Sequence, residues 1–456
     1  MLENLGLVLA LAVLIVMALR GINVIFASLV SSLLIIATNQ LPLAESFSQY
    51  YSFGPLGAFT FAGKFFLLFV CGAIFGRVMG ESHAAASIAI VLSRKLGPHR
   101  ALLIAALASA MLTYGGVVVF IVIFAIYPLG LRLLQEADIP KRLLLAAIAL
   151  GSGTFTLTAL PGTPSVQNVI SSVALGTDLF AGAIYGIIAT FVMLGCGLWY
   201  LESERLKAIR NGEKFVPAPG EITQTDDSDE EMPHWFLALI PLVTVLLAII
   251  IPRLLVDSVT DMSAGSSVAA LITFANAQPI IWPSIALLIG SVCCVILFPV
   301  LRRHPVQSLS KGAEDAIMPL LNTAAVIGFG GIVTQTEGFQ QFTNAIMQVD
   351  LPPLISMFVS VSLTSALVGS SSGGLQIFME TMAQDYLAMG ISAGELHRLA
   401  TMASGGFDSL PHCGAVVAML TITRQTHREA YKDLAVITVA IPVLATLVAM
   451  ASTLVV

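Results

Sequence analysis

Charged side chains are scarce: Asp, Glu, Lys and Arg make up 11% of the 456 residues, against about 25% in soluble domains. Hydrophobic residues reach 57%, with a mean hydropathy of +0.92. The balance excludes a soluble globular chain and implies an integral membrane protein with several helical spans. Cysteine is scarce too. Cys71, Cys196, Cys293, Cys294 and Cys413 form no C-x-x-C pair, which argues against a disulfide framework and a metal site. The opening Met1-Leu2-Glu3-Asn4 has no basic stretch, and a second apolar run follows Arg20-Gly21. A first span is expected there, not a cleaved signal peptide. The chain has no HExxH and no paired intramembrane aspartates, so it is not expected to be an enzyme; neither a cofactor nor a nucleic-acid partner is expected.

What is present is a series of apolar runs. Leu5–Leu19, Ile22–Thr38 and Leu56–Met79 read as spans, and 83–97 as an amphipathic surface helix. Ala101–Leu112 and Val117–Gly130 flank Tyr114-Gly115-Gly116 as a re-entrant hairpin. Lys141–Gly151 opens a crossing that breaks over Gly153–Pro164 and resumes at Ser165–Leu175, and Leu179–Leu201 spans again. The only long polar stretch, 202–233, reads as a solvated linker. Three spans follow (Trp235–Ile251, Ile280–Val300 and Gly312–Thr334), then an amphipathic run, Gln335–Val349. A second hairpin has its arms at Leu354–Val368 and Leu375–Met389, around Gly369–Gly374. A second broken crossing runs through Glu395–Met402, Ala403–Ala415 and Val416–Thr423, and Leu434–Val455 closes the chain.

The halves match residue by residue. Gly72 and Glu81 pair with Gly328 and Glu337, Gly115, Gly116 and Phe120 with Gly373, Gly374 and Phe378, and Arg142 with Arg398. After a deletion, Leu160, Pro161 and Val166 pair with Leu410, Pro411 and Val416. An odd number of crossings per half, five each, inverts the second copy. The expected fold is an all-α polytopic membrane protein of two inverted repeats, each with a hairpin and a broken helix. The first repeat is 1–201 (scaffold helices 1–80, hairpin and broken helix 98–175), the cytoplasmic linker 202–233, and the second repeat 234–456 (scaffold helices 234–334, hairpin and broken helix 352–424). All but Lys64, Arg253 and Arg398 of the 21 Lys and Arg fall on one side. By the positive-inside rule that side is cytoplasmic, with both termini outside.

Such repeats build secondary transporters, whose tips and breaks meet near the midplane and offer half-helix N-termini to an anion. The candidate substrate site in the first half is Thr113, Tyr114, Gly115, Gly116, Ser152, Gly153, Thr154, Thr158, Gly162 and Thr163, with Thr156 and Ser165 as further hydroxyls. In the second half it is Ser370, Ser371, Ser372, Gly373, Gly374, Ser404, Gly405, Gly406, Ser409 and His412. The bland alternative is that these small residues only allow close helix packing. Asp408 aligns with Thr158, His412 with Gly162 and Glu380 with Val122, so the second copy carries ionisable groups at positions where the first is neutral. Intramembrane ionisable residues point to function, which makes Asp408, His412 and Glu380 the candidate coupling-ion site. Helix-end capping, or an interfacial pair for Glu380, is the structural alternative.

The run Ser404–Ala415, the LPGTP run Leu160–Pro164 and the Gly-Ser-Ser-Ser hairpin tip resemble the GntP family of gluconate permeases within the ion transporter superfamily. The SGG-x-DSLPH-x-GAV form is similar to members associated with short hydroxy acids such as 3-hydroxybutyrate. The resemblance implies proton-coupled symport of a small organic anion across a bacterial inner membrane. It also implies a homodimer with a scaffold and an elevator-like transport domain. A sodium-coupled carboxylate carrier and a cation/proton antiporter share the architecture and stay open; an intramembrane enzyme and a channel fit it poorly.

Overall fold

The computed structural model describes residues 2–454 apart from 21, 85–86, 89–90, 92–96, 98–99, 117–118, 217–231, 256–266, 279, 350 and 412. Among them every regular element is a helix. This is the expectation for a chain in lipid, where a helix satisfies its backbone N–H and C=O groups within one segment. Among the described residues five helices are long and apolar enough to cross a membrane: Leu43–Glu81, Ala183–Arg210, Trp235–Pro252, Pro305–Val333 and His427–Ser452. Shorter apolar helices, Val24–Thr38 and Pro353–Val368 among them, fill the space between.

Polar residues set the starts of several of these elements. Asn23 accepts from the Ile25 and Phe26 amides at the start of Val24–Thr38. Ser392 and Glu395 form a capping box ahead of Ala393–Ser404, and Thr426 and Glu429 another ahead of His427–Ala435. Each such cap contributes about 1 kcal/mol by holding amides that the first turn leaves unpaired.

The packing is reciprocal between the halves. Leu2–Leu19 packs on Val24–Thr38, and Trp235–Leu254 on Ile281–Leu297. Val24–Thr38 also packs on Ile317–Val333, and Ile281–Leu297 on Ala58–Glu81. The hairpins and broken helices form a second group. Ala101–Tyr114 lies on Arg142–Ser152, Pro353–Val368 on Ala393–Ser404, and Val166–Leu175 on Ser371–Thr381.

Several expected boundaries move. The third span, Ala58–Glu81, lies close to the expected Leu56–Met79, and a π-helical stretch, Ser46–Phe53, precedes it across the non-helical turn Gly54–Gly57. A separate helix, Ser267–Ala277, lies where the sequence suggested no element. Amphipathic Pro305–Asp315 precedes the span expected at Gly312 and is tied to Ala58–Glu81 by Arg77 Nη1–Asp315 Oδ2 at 3.1 Å. The linker starts later than 202, since Ala183–Arg210 stays helical with Arg205 bonded to Glu202. Most of the surface helix expected at 83–97, and 217–231 of the linker, lie outside the described residues.

Candidate functional site

The first break interrupts one crossing. Arg142–Ser152 ends at Gly153, a single turn Phe155–Thr158 follows, and Val166–Leu175 resumes with Ser165 capping the Asn168 amide. The hydroxyls expected to face a ligand turn back onto their own chain. Ser152 donates to Ile148 O (2.8 Å), Thr154 to Leu150 O (2.6 Å), Thr156 to Gly151 O (2.5 Å), Thr158 to Thr154 O (3.2 Å) and Ser165 to Leu157 O (2.7 Å). Thr154, Thr156 and Ser165 thus supply donors to carbonyls at the break, and all five hydroxyls have only lone pairs to spare. Thr113 and Thr163 differ: both are buried, and neither Oγ1 has a hydrogen-bond partner. Tyr114, at the first hairpin tip beside Gly115 and Gly116, donates to Pro161 O at 3.0 Å and so ties that tip to the first break.

The second hairpin turns more tightly than expected. Pro353–Val368 ends at Gly369 (φ +63), a left-handed position that suits glycine, and the next helix starts at Ser371 rather than Leu375. Ser370 caps it by accepting from the Gly373 amide, so Ser371, Ser372, Gly373 and Gly374 form its first turn. A Cβ on Gly374 would stand 2.3 Å from Ser365 Cα; only glycine lets the arms approach this closely. Gly369-Ser370-Ser371-Ser372-Gly373 spells G-x-S-x-G, a serine-hydrolase pattern. Among the described residues no histidine bonds the Ser371 hydroxyl, which accepts from Gln167 Nε2 at 2.8 Å.

The second break carries Asp408. Ala393–Ser404 ends at Gly405, a short turn Phe407–Ser409 follows, and Gly414–Ile422 resumes the crossing. The partly exposed Asp408 carboxylate accepts from Ser409 Oγ at 2.9 Å, and the turn that carries it packs on the helix begun by Ser371. Gln167, Ser371 and Asp408 therefore connect the first broken helix, the second hairpin and the second break. The two breaks also touch, since a Cβ on Gly405 would lie 2.8 Å from Thr158 Cγ2. Gly406 packs on Val443, and Ser404 donates to Thr401 O. His427 Nε2 bonds Pro411 O at 2.8 Å and Tyr431 donates to Ser409 O at 3.1 Å, filling carbonyls of this break. His412 lies outside the described residues. Glu380 is exposed and accepts from Gln376 at 3.0 Å. It stands about 14 Å along its helix from Ser371, so it is not gathered with Asp408.

A polar cluster absent from the expectations lies beside the first break. His397 is fully buried, with Nε2 at 2.7 Å from Asn168 Oδ1 and Nδ1 at 2.6 Å from Thr177 Oγ1. Asn168 gives its Nδ2 to Thr163 O and Leu179 O. Its Oδ1 is then an acceptor, so the histidine proton sits on Nε2 and Nδ1 accepts from Thr177. Fully buried Arg398 donates to Ala181 O (3.1 Å) and Leu179 O (2.9 Å). The signal was in the sequence: His397-Arg398 and Gln167-Asn168 are polar pairs inside the two broken crossings.

Two broken helices facing two hairpins in an all-helical membrane chain define a multi-pass membrane transporter. The solved YdaH transporter of Alcanivorax borkumensis shares the fold, with a TM-score of 0.53 and 14% identity, covering 86% of this chain and 87% of that one. The family model for GntP family permease matches residues 3–400. The chain belongs to the GntP permease family. It is 35% identical over 96% of both chains to the uncharacterized transporter YxjC of Bacillus subtilis (strain 168). It is 26% identical to the high-affinity gluconate transporter of Escherichia coli (strain K12), over 60% of this chain and 58% of that one. It is thus a permease and not an enzyme.

Proposed function

We propose that the chain is a proton-coupled symporter of a small organic anion, a gluconate-like sugar acid or a short hydroxy acid such as 3-hydroxybutyrate. The observation that carries this reading is Asp408, a carboxylate at a helix break, held by Ser409 where both broken helices meet and packed beside the helix begun by Ser371. A carboxylate at membrane depth costs about 2.5–3.5 kcal/mol on insertion scales, and binding a proton removes that cost at one stage of a cycle. The gluconate transporter among the relatives supports an anionic substrate.

The working mechanism is alternating access of the elevator type in a bacterial inner membrane. Reciprocal packing of matching helices supports two inverted repeats. The two packing groups, which meet where Ile317–Val333 lies on Ser371–Thr381, support a scaffold built from Leu2–Glu81 and Trp235–Val333, and a moving unit built from the hairpins and broken helices. Both termini lie outside, the linker lies in the cytoplasm, and the assembly is a homodimer. Abundant carbonyls and hydroxyls at the breaks favour sodium as the second reading for the coupling ion. Uptake into proteoliposomes with sodium replaced by choline at fixed pH separates the two. Unchanged uptake is expected, and its loss would replace the proton by sodium.

A further inference from the structure

Arg398 is a guanidinium buried completely in a membrane protein, and its Nη1 has no hydrogen-bond partner. Its other bonds go to carbonyls, Ala181 O and Leu179 O, with Asp178 and Tyr114 as electrostatic neighbours. Asp178 is the carboxylate neighbour of this guanidinium, and Nη1 is still left without a hydrogen-bond partner. A buried charge that keeps unused N–H groups is strongly penalised unless an acceptor arrives at some stage of function.

The surroundings are those of a site. Leu179 O accepts from Gly162 N (2.9 Å), Asn168 Nδ2 (3.0 Å) and Arg398 Nη2 (2.9 Å), three donors on one carbonyl. A carbonyl oxygen has two lone pairs, so Arg398 Nη2 can leave it without orphaning it. A Cβ on Gly186 would stand 2.2 Å from Ala159 O and 3.0 Å from Arg398 Cδ, which places the arginine against the first break. Tyr114, at the hairpin tip, bonds Pro161 O in the same break. The unpartnered hydroxyls Thr113 and Thr163 adjoin Tyr114 and Gly162 in the chain.

We infer that Arg398 receives the carboxylate of the transported anion, in bidentate contact through Nη1 and Nη2, with Thr113 and Thr163 serving its hydroxyl groups. A planar guanidinium matches a carboxylate in a way that a lysine ammonium does not. The inference rests on the organic-anion reading above. The arginine is sealed in this structure, so binding requires the 176–182 segment and the first hairpin tip to part from the second broken helix.

The test is titration of the purified full-length chain with gluconate, 3-hydroxybutyrate and their neutral amides, by calorimetry and thermal shift. Wild-type protein is expected to prefer carboxylate to amide. R398Q is expected to lose that preference, with carboxylate binding about 100-fold weaker and amide binding unchanged; R398K should weaken it about tenfold. A structural role would lower the melting temperature without erasing the preference. R398Q that binds carboxylate within about threefold of wild type overturns the inference and leaves the transport reading standing. Wild-type protein that binds none of the series overturns both. If R398Q does not purify as a single species, R398K decides by the same comparison, unchanged affinity being the contrary result.

Discussion

Arg142 and Arg398 occupy the first halves of the two broken helices, 256 positions apart, and their surroundings differ completely. Arg142 bonds Asp433, lies 3.4 Å from Glu204 Oε2 and 3.2 Å from Glu213 Oε2, and Tyr200 holds the other Asp433 oxygen at 2.7 Å. Lys207 stands 2.7 Å from Glu204 Oε1, so every charge in this network has an opposite neighbour. Arg398 has carbonyls instead and an idle Nη1. One arginine is consumed in fixing the first broken helix to Ala183–Arg210 and His427–Ala435. The other, on the reading above, is kept for a mobile anion. The breaks differ in the same sense: the hydroxyls of the first, Thr163 apart, bond its own backbone, whereas the second carries a partly exposed carboxylate.

That contrast can be broken by removing partners. Asp433→Asn takes a carboxylate with a 1% exposed side chain from Arg142, which is itself 20% exposed. Breaking a fully buried pair costs about 3–5 kcal/mol; solvent and the two remaining carboxylates reduce this to about 1–3 kcal/mol. The expected result is a melting temperature lower by several degrees with the carboxylate-over-amide preference intact. A lost preference would mean that the Arg142 network belongs to the site after all. Gln167→Leu, which removes the donor to Ser371, sharpens the comparison at the other end. Its expected cost is about 1 kcal/mol, read by thermal unfolding, with a larger effect on uptake than on stability because Ser371 opens the helix that packs on the Asp408 turn.

Much of this was legible in the sequence. Gly-Pro clusters inside apolar runs marked both breaks, since lost helix leaves polar groups that lipid cannot satisfy. Glycine pairs marked the hairpins, although Ser370 caps the helix earlier than its apolar residues begin. Sequence spacing could not say where each hydroxyl donates. Thr154 and Thr156 read alike to Thr163, yet the first two bond carbonyls a turn behind them and Thr163 bonds nothing. Glu380 and Asp408 both read as intramembrane carboxylates, and only the fold separates them, because helix length sets one apart from the tip while the break brings the other to Ser371. His397 and Arg398 were passed over because their partners, Asn168, Thr177 and Leu179, come from the opposite half of the chain.

On the proposed function, Asp408 couples proton movement to anion uptake. The most direct measurement compares wild type and Asp408→Asn in proteoliposomes under an imposed pH gradient, with anion exchange at equal pH as the folding control. Wild type should accumulate the anion above equilibrium. Asp408→Asn should keep exchange and lose accumulation. A variant that still concentrates the anion when the gradient is applied would contradict the account.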